Sequence, residues 1–447
     1  MRIGNKKESL VLLLGDIFAF TISLWLALFI RNGEAPSEWT FLENITPFSI
    51  LFLIWVAFFF IAGLYEKKRI VQRKRLPELL VKTQVFNSIV AIVFFYSFPY
   101  FGVAPKTILF LTIIISLILS FVWRVYAISK LNIKSKSKAL LIATGSNAIA
   151  LKEEINHNPQ SGFFIHQTID IGQGSAFNFE EILGIIKKEN IKVVIVDSRS
   201  ELVFPILPNL YKLIFSNINF VDFYDLYEDV FDRLPVSLID YGWFLENIST
   251  EKRDTYEFLK RVMDIVLSVP AFIISLPFYV FVYIGIKIQD NGPVFIVQER
   301  VGKNNKLIRV LKFRSMNRNE TDISKKTDNK ITKFGSFLRV SRIDELPQLI
   351  NVIKGDLTIV GPRPELPSGV KLYSEQIPYY NVRHIIKPGL FGWAQLYHEN
   401  HPHHGVDVVE TENKLSYDLY YIKHRSFPLD IIIALKTIKI LLSRQGR

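Results

Sequence analysis

The chain has 447 residues, more than one ordinary domain needs, and it contains no cysteine, which excludes disulfide scaffolds and thiol catalysis. Hydrophobic residues make up 49% of the sequence and the mean hydropathy is +0.23, values that indicate a membrane protein rather than a soluble one. The formal net charge is +12, but no nucleic-acid-binding motif accompanies it. We therefore expect no nucleic-acid partner and attribute the charge to membrane topology and anionic lipid headgroups.

Four apolar runs occupy the first third of the sequence, and each approaches the roughly 20 residues that a membrane-spanning helix needs. The runs are Leu10–Ile30, Phe48–Leu64, Val85–Phe101 and Thr107–Tyr126. The third is the weakest because Asn87 interrupts it, and no small-residue cleavage site follows the first. We expect residues 1–130 to form a four-helix transmembrane bundle.

Lysine and arginine cluster in alternate loops, which sets the orientation of the spans. The N-terminus, the loop after the second run and the segment after the fourth run are basic, whereas the other two loops hold only Arg31 and Lys106. This pattern places the N-terminus and everything after Lys130 in the cytoplasm. Asp16 lies inside the first span, where a carboxylate marks a functional site by default. We prefer the plainer interpretation that it lies near the cytoplasmic edge or pairs within the bundle.

Between residues 138 and 246 the pattern changes to alternating strands and helices, which is typical of a parallel α/β sheet. Strands are predicted at Ala139–Ala143, Phe163–Ile171 and Ile191–Val196, and helices at Ala148–Asn156 and Phe179–Glu189. The first turn retains only one glycine, Gly145, of the dinucleotide-binding fingerprint. A degenerate Rossmann-like domain with a structural or regulatory role is therefore favoured over a working cofactor site. The segment Asp222–Glu246 is expected to be a linker.

A fifth apolar run, Ile265–Ile288, is long enough to span, yet lysines and arginines flank it on both sides. Pro270 and Pro277 interrupt the run, and proline bends a helix by removing a hydrogen bond. A re-entrant membrane helix over residues 264–288, broken at Pro277, enters and leaves the same leaflet and agrees with the flanking charges. A true fifth span is the alternative.

The stretch Ser341–Glu365 carries the strongest chemical signal. Asp344 and Glu345 form an adjacent carboxylate pair that can hold a cation. The turn Gly361-Pro362-Arg363-Pro364 aims an arginine between two rigid prolines. A simpler explanation of the two acids is that Asp344 caps the helix that follows and Glu345 is a favourable first-turn acid.

Lys312 and Arg314 share one face of the predicted strand Val310–Met316, where two cations suit a diphosphate. A solvated strand face explains them equally well.

Four histidines crowd one loop, which we interpret as a polar surface loop in preference to a metal site: His398, His401, His403 and His404. The run Leu429–Leu442 suits an interfacial amphipathic helix, with a core helix as the alternative. Carboxylates beside phosphate-binding cations indicate phosphoryl transfer.

From Lys260 to the C-terminus, the motifs follow the order of a known family. The segment resembles the bacterial sugar transferases, the monotopic polyprenyl-phosphate phosphoglycosyl transferases, in KRVMDIVLSVPAFIISLP, GPVFIVQERVGK, KFRSM, DELPQLINVIKGDLTIVGPRPE, PGLFGWAQ and YDLYYIKHRSFPLDI. The four spans and the degenerate α/β domain resemble the extended form of that family. The expected fold is that of a membrane protein of the α + α/β class. Its mainly α-helical catalytic domain, residues 257–447, is expected on the cytoplasmic face of the bacterial inner membrane.

The resemblance implies that a nucleotide-diphosphate sugar, usually UDP-linked, donates sugar-1-phosphate to polyprenyl phosphate and that UMP is released. This would initiate exopolysaccharide, capsule or O-antigen synthesis. By the family's pattern, Asp344 is the nucleophile that forms an aspartyl-phosphate and Glu345 binds Mg²⁺, while Lys312, Arg314 and Arg363 are candidates for phosphate contact. A homo-oligomer is left open.

One departure from the family concerns the membrane helix, which has Leu276-Pro277 where Ser-Pro is frequent. The neighbouring Ser275 is then the hydroxyl that satisfies the backbone there.

Two other functions compete with the transferase. One is a membrane-anchored NAD-dependent nucleotide-sugar dehydratase, for which Tyr256 and Lys260 match a short and easily accidental dehydrogenase pattern. The other is a non-catalytic scaffold for polysaccharide assembly.

Overall fold

The computed structural model describes residues 6–65, 76–97, 106–131, 136–157, 162–170, 179–216, 218–248, 254–290, 292–316, 332–397 and 407–442. The chain divides into two compact units, Met1–Val230 and Phe231–Arg447.

Among the described residues, the first unit begins with four helices that correspond to the four predicted apolar runs, although the second helix ends before the last residues of the second run and the end of the third run lies outside the described residues. They are α1 (Lys6–Asn32), α2 (Glu38–Ile61), α3 (Leu76–Ser97) and α4 (Lys106–Leu131). Helices α1, α2 and α4 contain stretches long and apolar enough to cross a membrane, whereas α3 has the shorter apolar segment Leu79–Phe95. The third run is therefore the weakest candidate for a membrane span, in agreement with its interruption by Asn87 in the sequence.

The interior of the helical bundle is aromatic. Phe20, Trp55 and Phe59 are buried, and the Phe20 ring packs edge-on against the Trp55 ring with a centroid separation of 5.3 Å. Such aromatic pairs stabilise by about 0.5–1.5 kcal/mol beyond the burial of their area.

Asp16 is fully buried in this bundle and forms an ion pair with the guanidinium of Arg124. It also accepts a hydrogen bond of 2.9 Å from the Tyr65 hydroxyl. Arg124 in turn donates to the Leu64 carbonyl at 2.9 Å. A buried charge is tolerated when it is paired and hydrogen-bonded. The preferred interpretation of Asp16, pairing within the bundle, is confirmed.

The rest of the first unit is a parallel four-stranded sheet with strand order β2-β1-β3-β4. The strands are β1 (Ser137–Ile142), β2 (Phe163–Ile169), β3 (Val193–Val196) and β4 (Asn219–Asp222). Helices α5 (Gly145–His157), α6 (Phe179–Lys188) and the short α7 (Leu207–Lys212) connect them. The parallel α/β prediction is confirmed. The sequence did not predict β4, because four residues that begin with Asn and end with Asp match no strand pattern.

The segment expected to be a linker is instead folded. It contains α8 (Phe223–Phe231) and α9 (Tyr241–Asn247). Leu234, Val236 and Trp243 are buried in the hydrophobic core of the second unit. The linker prediction is wrong. The apolar spacing of α8 is helical and could have identified that helix, whereas only tertiary packing buries the side chains that follow it.

The second unit contains α10 (Asp254–Asp290), a helix of 37 residues. At 1.5 Å per residue it is about 55 Å long, more than a membrane's hydrocarbon core requires. Its apolar stretch is long enough to cross a membrane, and most of that stretch is not buried in the protein, as expected for a helix that faces lipid. The structure has one helix that includes Pro270 and Pro277, and the expected bend at Pro277 stays a prediction.

The Ser275 hydroxyl donates to the Phe272 carbonyl at 2.7 Å, whereas the carbonyl that loses its N–H donor to Pro277 is that of Ile273, so this bond does not replace the one that the proline removes. The re-entrant course of the helix stays a prediction, as does the alternative of a true span.

The polar part of the second unit is built on two small sheets and several helices. Strands β5 (Phe295–Val301) and β6 (Leu307–Phe313) form an antiparallel hairpin, and β7 (Thr358–Val360) pairs in parallel with β8 (Gly389–Phe391). The helices are α11 (Lys333–Val340), α12 (Gln348–Lys354), α13 (Pro367–Gln376), α14 (Trp393–Tyr397), α15 (Val408–His424) and α16 (Phe427–Leu442). The histidine loop at 398–404 lies outside the described residues.

Helix α16 corresponds to the C-terminal apolar run. Asp430 and Ile433 on this helix are completely buried, whereas Ile431 and Ile438 are 40% and 44% exposed. One face therefore packs on the core, as the core alternative predicts, and the other carries the exposed apolar side chains that an interfacial helix requires.

Tyr256 and Lys260, the two residues of the dehydrogenase pattern, are used structurally. The Tyr256 hydroxyl and the Lys260 ammonium both donate to the Asp430 carboxylate, at 2.9 and 2.8 Å. Lys260 also donates to the Val360 carbonyl at 2.8 Å. The network ties α10 to α16 and β7, so neither side chain supports the dehydratase alternative.

Candidate active site

The two predicted acids lie in one short 3-10 turn, Ile343–Glu345, immediately before α12. Arg342 enters the turn in the left-handed conformation with φ 55°, which costs a residue other than glycine roughly 1–2 kcal/mol. Pro347 occupies the cap position of α12, and no side chain caps that helix. The capping explanation of Asp344 is therefore wrong, and a strained turn holds the acid pair.

Two separate segments bring cations to this turn. The guanidinium of Arg363 donates to Glu345 Oε1 at 2.6 Å, and Lys312 Nζ from β6 lies 3.8 Å from the same oxygen. Both cations were predicted as phosphate contacts, and the fold brings both to the acid pair. A charge-assisted arginine–carboxylate bond of this length is strong and holds both groups in place.

The two neighbouring acids have very different affinities for a proton. Burial raises the pKa of Asp344 to about 6, helped by the negative charge of Glu345 and opposed by Lys312. Burial alone would also raise the pKa of Glu345, but the Arg363 and Lys312 cations outweigh it and lower that pKa to about 2. Environments that separate two pKa values assign two roles. Of the two acids, Asp344 is therefore the more basic and Glu345 the more readily ionised.

Arg314, the third predicted cation, takes a different place. It follows the last residue of β6, and its backbone N–H donates to the Val294 carbonyl at 2.9 Å. Its guanidinium occupies the space that a side chain at Gly292 would fill. The structure thus unites Lys312 and Arg363 at Glu345, while Arg314 packs against the chain before β5.

Sequence reasoning missed Arg300, which lies on the same face of the β-hairpin as Lys312. The pairs Ile296↔Lys312, Gln298↔Val310 and Arg300↔Ile308 define that face, because directly opposed residues in an antiparallel pair point the same way. Arg300 donates to Gln298 Oε1 at 2.8 Å, and its positive charge contributes to a lowered pKa of Lys312, for which burial is the main cause. Strand alternation in FIVQERV was the signal that could have identified it.

Close backbone approach fixes the turn that carries Arg363. The Gly361 N–H donates to the Phe391 carbonyl at 2.8 Å, and the Gly389 N–H donates to the Pro362 carbonyl at 2.9 Å. A Cβ at Gly389 would lie only 2.1 Å from the Gly361 nitrogen. Only glycine fits this contact, which explains why the PGLFGWAQ motif is needed to position the Gly-Pro-Arg-Pro turn.

A buried arginine supports the same turn from behind. Arg383 is 1% exposed, lies 2.7 Å from the Asp418 carboxylate, and donates to the Tyr380 hydroxyl at 2.7 Å and to the Arg363 carbonyl at 3.1 Å. Glu365, next to the turn, pairs with Lys414. No sequence pattern pointed to Arg383 or Asp418, because 34 residues of unrelated character lie between them.

The two acids of the site are compatible with Mg²⁺ that is also bound by substrate phosphates. No group of three or more histidine or acidic side chains is arranged to hold a metal within the described parts of the chain. Mg²⁺, however, is usually bound by one or two carboxylates together with substrate phosphates and water. The Asp344–Glu345 pair would meet that requirement, and the pKa of Glu345, lowered to about 2 by the Arg363 and Lys312 cations, favours its ionised form.

A buried acid pair beside two basic side chains is an arrangement compatible with phosphoryl transfer. The comparison with known proteins agrees: the family described as "Bacterial sugar transferase" matches residues 255–444. The exopolysaccharide production protein PSS of Rhizobium leguminosarum is 39% identical over 195 residues, which are 42% of this chain and 96% of that protein. The chain belongs to the bacterial sugar transferase family, which confirms the resemblance.

Two longer relatives are also similar. The UDP-N-acetylgalactosamine-undecaprenyl-phosphate N-acetylgalactosaminephosphotransferase of Aeromonas hydrophila is 41% identical over 195 residues, 43% of this chain and 45% of the relative. The undecaprenyl-phosphate glucose phosphotransferase of Komagataeibacter xylinus is 31% identical over 330 residues, 68% of this chain and 58% of the relative. The matched region covers 45% of the Aeromonas hydrophila relative and 58% of the Komagataeibacter xylinus relative. The second match is longer than the family match, which covers residues 255–444.

Proposed function

We propose that this protein transfers sugar-1-phosphate from a nucleotide-diphosphate sugar, UDP-linked, to polyprenyl phosphate, with release of UMP. The reaction would take place at the cytoplasmic face of the bacterial inner membrane and initiate the assembly of a surface polysaccharide. The observation that carries the proposal is Asp344, a buried acid with a raised pKa beside the Glu345–Arg363 ion pair. The names of the relatives, which include undecaprenyl-phosphate sugar phosphotransferases, support the choice of lipid acceptor.

The proposed chemistry uses Asp344 twice. Its carboxylate oxygen attacks the phosphorus that carries the sugar, an oxygen–phosphorus bond forms, and the bond to the UMP oxygen breaks. An oxygen of the lipid phosphate then attacks the same phosphorus, and Asp344 leaves as a carboxylate. Covalent transfer lets a soluble donor and a lipid acceptor use one site in turn.

The surrounding residues bind and orient the diphosphate. Arg363 has five N–H donors in a rigid fork, so it can keep its bond to Glu345 and also bind a phosphate oxygen. Lys312 supplies a second positive charge at the same place. Mg²⁺ held by Glu345 beside Asp344 would supply further positive charge to neutralise the diphosphate.

The function is tested by product analysis. Purified full-length protein is incubated with a panel of UDP-sugars, with and without polyprenyl phosphate, and the nucleotides are separated and quantified. We expect sustained release of UMP only when the lipid is present, and one equivalent of UMP or less per protein without it. Release of UDP would mean glycosyl transfer, and a strict requirement for NAD would favour the dehydratase.

Removal of divalent cations should abolish this activity. EDTA is expected to lower UMP release by at least about 100-fold, since a metal that neutralises transferring phosphates is worth several kcal/mol. Added Mg²⁺ should restore the rate, while zinc-specific chelators should have no effect. Full activity in EDTA would contradict the assignment of Glu345 as a metal ligand.

The rate should depend on pH through Asp344. Burial raises its pKa to about 6, and only the carboxylate is nucleophilic, so activity should be lost as the pH falls below 6. We expect kcat/KM to rise tenfold per pH unit below about pH 6 and to level off above pH 7. A profile that is flat down to pH 4.5 would argue against Asp344 as the attacking group.

A further inference from the structure

Three strands of the parallel sheet in the first unit begin side by side. The Lys192 N–H donates to the Lys138 carbonyl at 3.1 Å, and the Asn219 N–H donates to the Lys192 carbonyl at 2.9 Å. Strands β1, β3 and β4 therefore start at one edge of the sheet, with about 5 Å between neighbouring strands. We call this the amino edge.

Exposed aromatic and apolar side chains lie close to the amino edge. The 3-10 turn Leu213–Ser216 leads into β4, and within it Ile214 and Phe215 are 53% and 82% exposed. Tyr211, near the end of α7, is 62% exposed, and its ring packs edge-on against Phe215 with a centroid separation of 6.2 Å. Exposed apolar side chains that lie together, unlike scattered ones, mark a contact with a partner or a membrane.

The same edge is basic. Helix α6 ends beside it, because Glu189, the residue after α6, pairs with Lys138 on β1 at 2.8 Å. Four exposed lysines lie at the ends of α6 and α7 and at the start of β3: Lys187, Lys188, Lys192 and Lys212. The opposite edge, where the strands end, has the acids Asp197 and Asp222 instead. The basic edge of the sheet is thus also the edge with the exposed aromatic pair.

The amino edge is tethered close to the membrane. Helix α4 contains the apolar stretch Thr107–Val125 and ends at Leu131, and β1 begins at Ser137. The six helical residues beyond the apolar stretch add about 9 Å. Six residues of extended chain reach at most about 20 Å, so β1 starts within that distance of the end of α4.

We propose that the amino edge binds the membrane surface at which α4 ends, with Tyr211 and Phe215 in the interfacial layer and the lysines on anionic phospholipid headgroups. Aromatic side chains are enriched in that layer, and lysines are attracted to anionic lipid. The contact holds the α/β domain against the bilayer. It requires that α4 crosses the membrane and is independent of the proposed transfer reaction.

The absence of cysteine from the sequence allows a direct test, since one introduced cysteine can be labelled without background. Full-length Phe215→Cys is labelled with the fluorophore NBD and placed in nanodiscs of phosphatidylethanolamine and phosphatidylglycerol, with or without lipids that carry a nitroxide near the headgroup. Leu202→Cys is the matched control, because Leu202 is apolar and 54% exposed but follows the end of β3 at the opposite edge.

We expect the nitroxide lipids to quench roughly half of the fluorescence of the label in Phe215→Cys, because an interfacial side chain lies about 5–10 Å into the boundary between headgroups and acyl chains. The label in Leu202→Cys should lose almost none. Equal quenching of the two labels, or no quenching of either, overturns the inference.

The lysines are tested by adding Lys188→Gln and Lys192→Gln to labelled Phe215→Cys. Loss of two lysines from an anionic surface should lower the ratio of bound to free amino edge by about 30-fold, so quenching should disappear at a lower salt concentration. Replacement of phosphatidylglycerol by phosphatidylcholine should have the same effect. All the substituted side chains are exposed, so thermal unfolding should not change.

The remaining outcomes also decide the matter. Quenching that depends neither on the two lysines nor on anionic lipid overturns the assignment of lipid headgroups. An unquenched label that shows energy transfer to its counterpart in a second copy would mean that the amino edge binds another copy of this chain, which also overturns the inference. The measurement requires no UMP release, so failure of the proposed function is detected separately.

Discussion

Asp344→Asn should release no measurable UMP and yet unfold at a higher temperature than the wild type. Asparagine has the same shape but is a poor nucleophile, and loss of an attacking group costs at least about 10⁴-fold in kcat. The stability gain follows from burial. A rise in pKa from the ordinary 3.8 to about 6 means that the ionised acid destabilises the fold by about 3 kcal/mol, at 1.36 kcal/mol per pH unit.

The sign of this effect can be checked against pH. Because the pKa of Asp344 is higher in the folded than in the unfolded protein, the folded state binds the additional proton between about pH 4 and 6. Stability from this group therefore falls as the pH rises through that range. Wild type and Asp344→Asn should have similar Tm values near pH 4 and should differ most at pH 7.5. UMP assays and thermal unfolding on the same preparations provide both measurements.

Asp356→Asn is the matched control, since Asp356 is an acid on the same segment whose side chain is exposed. It should retain wild-type activity and stability. Residual activity of Asp344→Asn at the level of this control would favour the non-catalytic scaffold. An inactive Asp344→Asn with a lowered Tm would indicate misfolding and would contradict the electrostatic account of the site.

Arg383→Met is expected to have the largest effect on stability. Arg383 and Asp418 are 1% and 2% exposed, and removal of one partner leaves the other charge buried without compensation. Such losses cost about 3–5 kcal/mol. In a unit of this size, the corresponding fall in Tm is roughly 10 °C. Differential scanning calorimetry on the full-length protein measures it, with Arg309→Met as the control because Arg309 is exposed.

A second change separates stability from catalysis. In the double variant Arg383→Met with Asp418→Leu, no buried charge of this pair remains, so most of the lost stability should return. Activity should not return, because the Arg363 carbonyl has still lost its 3.1 Å hydrogen bond from the Arg383 guanidinium. Recovery of both stability and activity would show that Arg383 has no part in positioning Arg363.

Several features of the protein were readable from short stretches of sequence. The four apolar runs and the strand–helix alternation depend on local periodicity, and the structure has helices or parallel strands at each predicted place. The linker expected after residue 222 was wrong, whereas the bend at Pro277 stays a prediction. Local composition shows neither which irregular segment a core will bury nor whether neighbouring groups keep a proline-containing helix intact.

The sequence by itself determined the class of the protein, its apolar helices and the acids and cations of the candidate site, since these follow from residue type and spacing. Only the tertiary structure decided that Lys312 and Arg363 meet at Glu345, that Arg314 packs elsewhere, and that two adjacent acids differ in pKa by about four pH units. Arg383 also became visible only in the fold. Charge, burial and hydrogen-bond partners depend on distances between segments far apart in the chain, which no local pattern records.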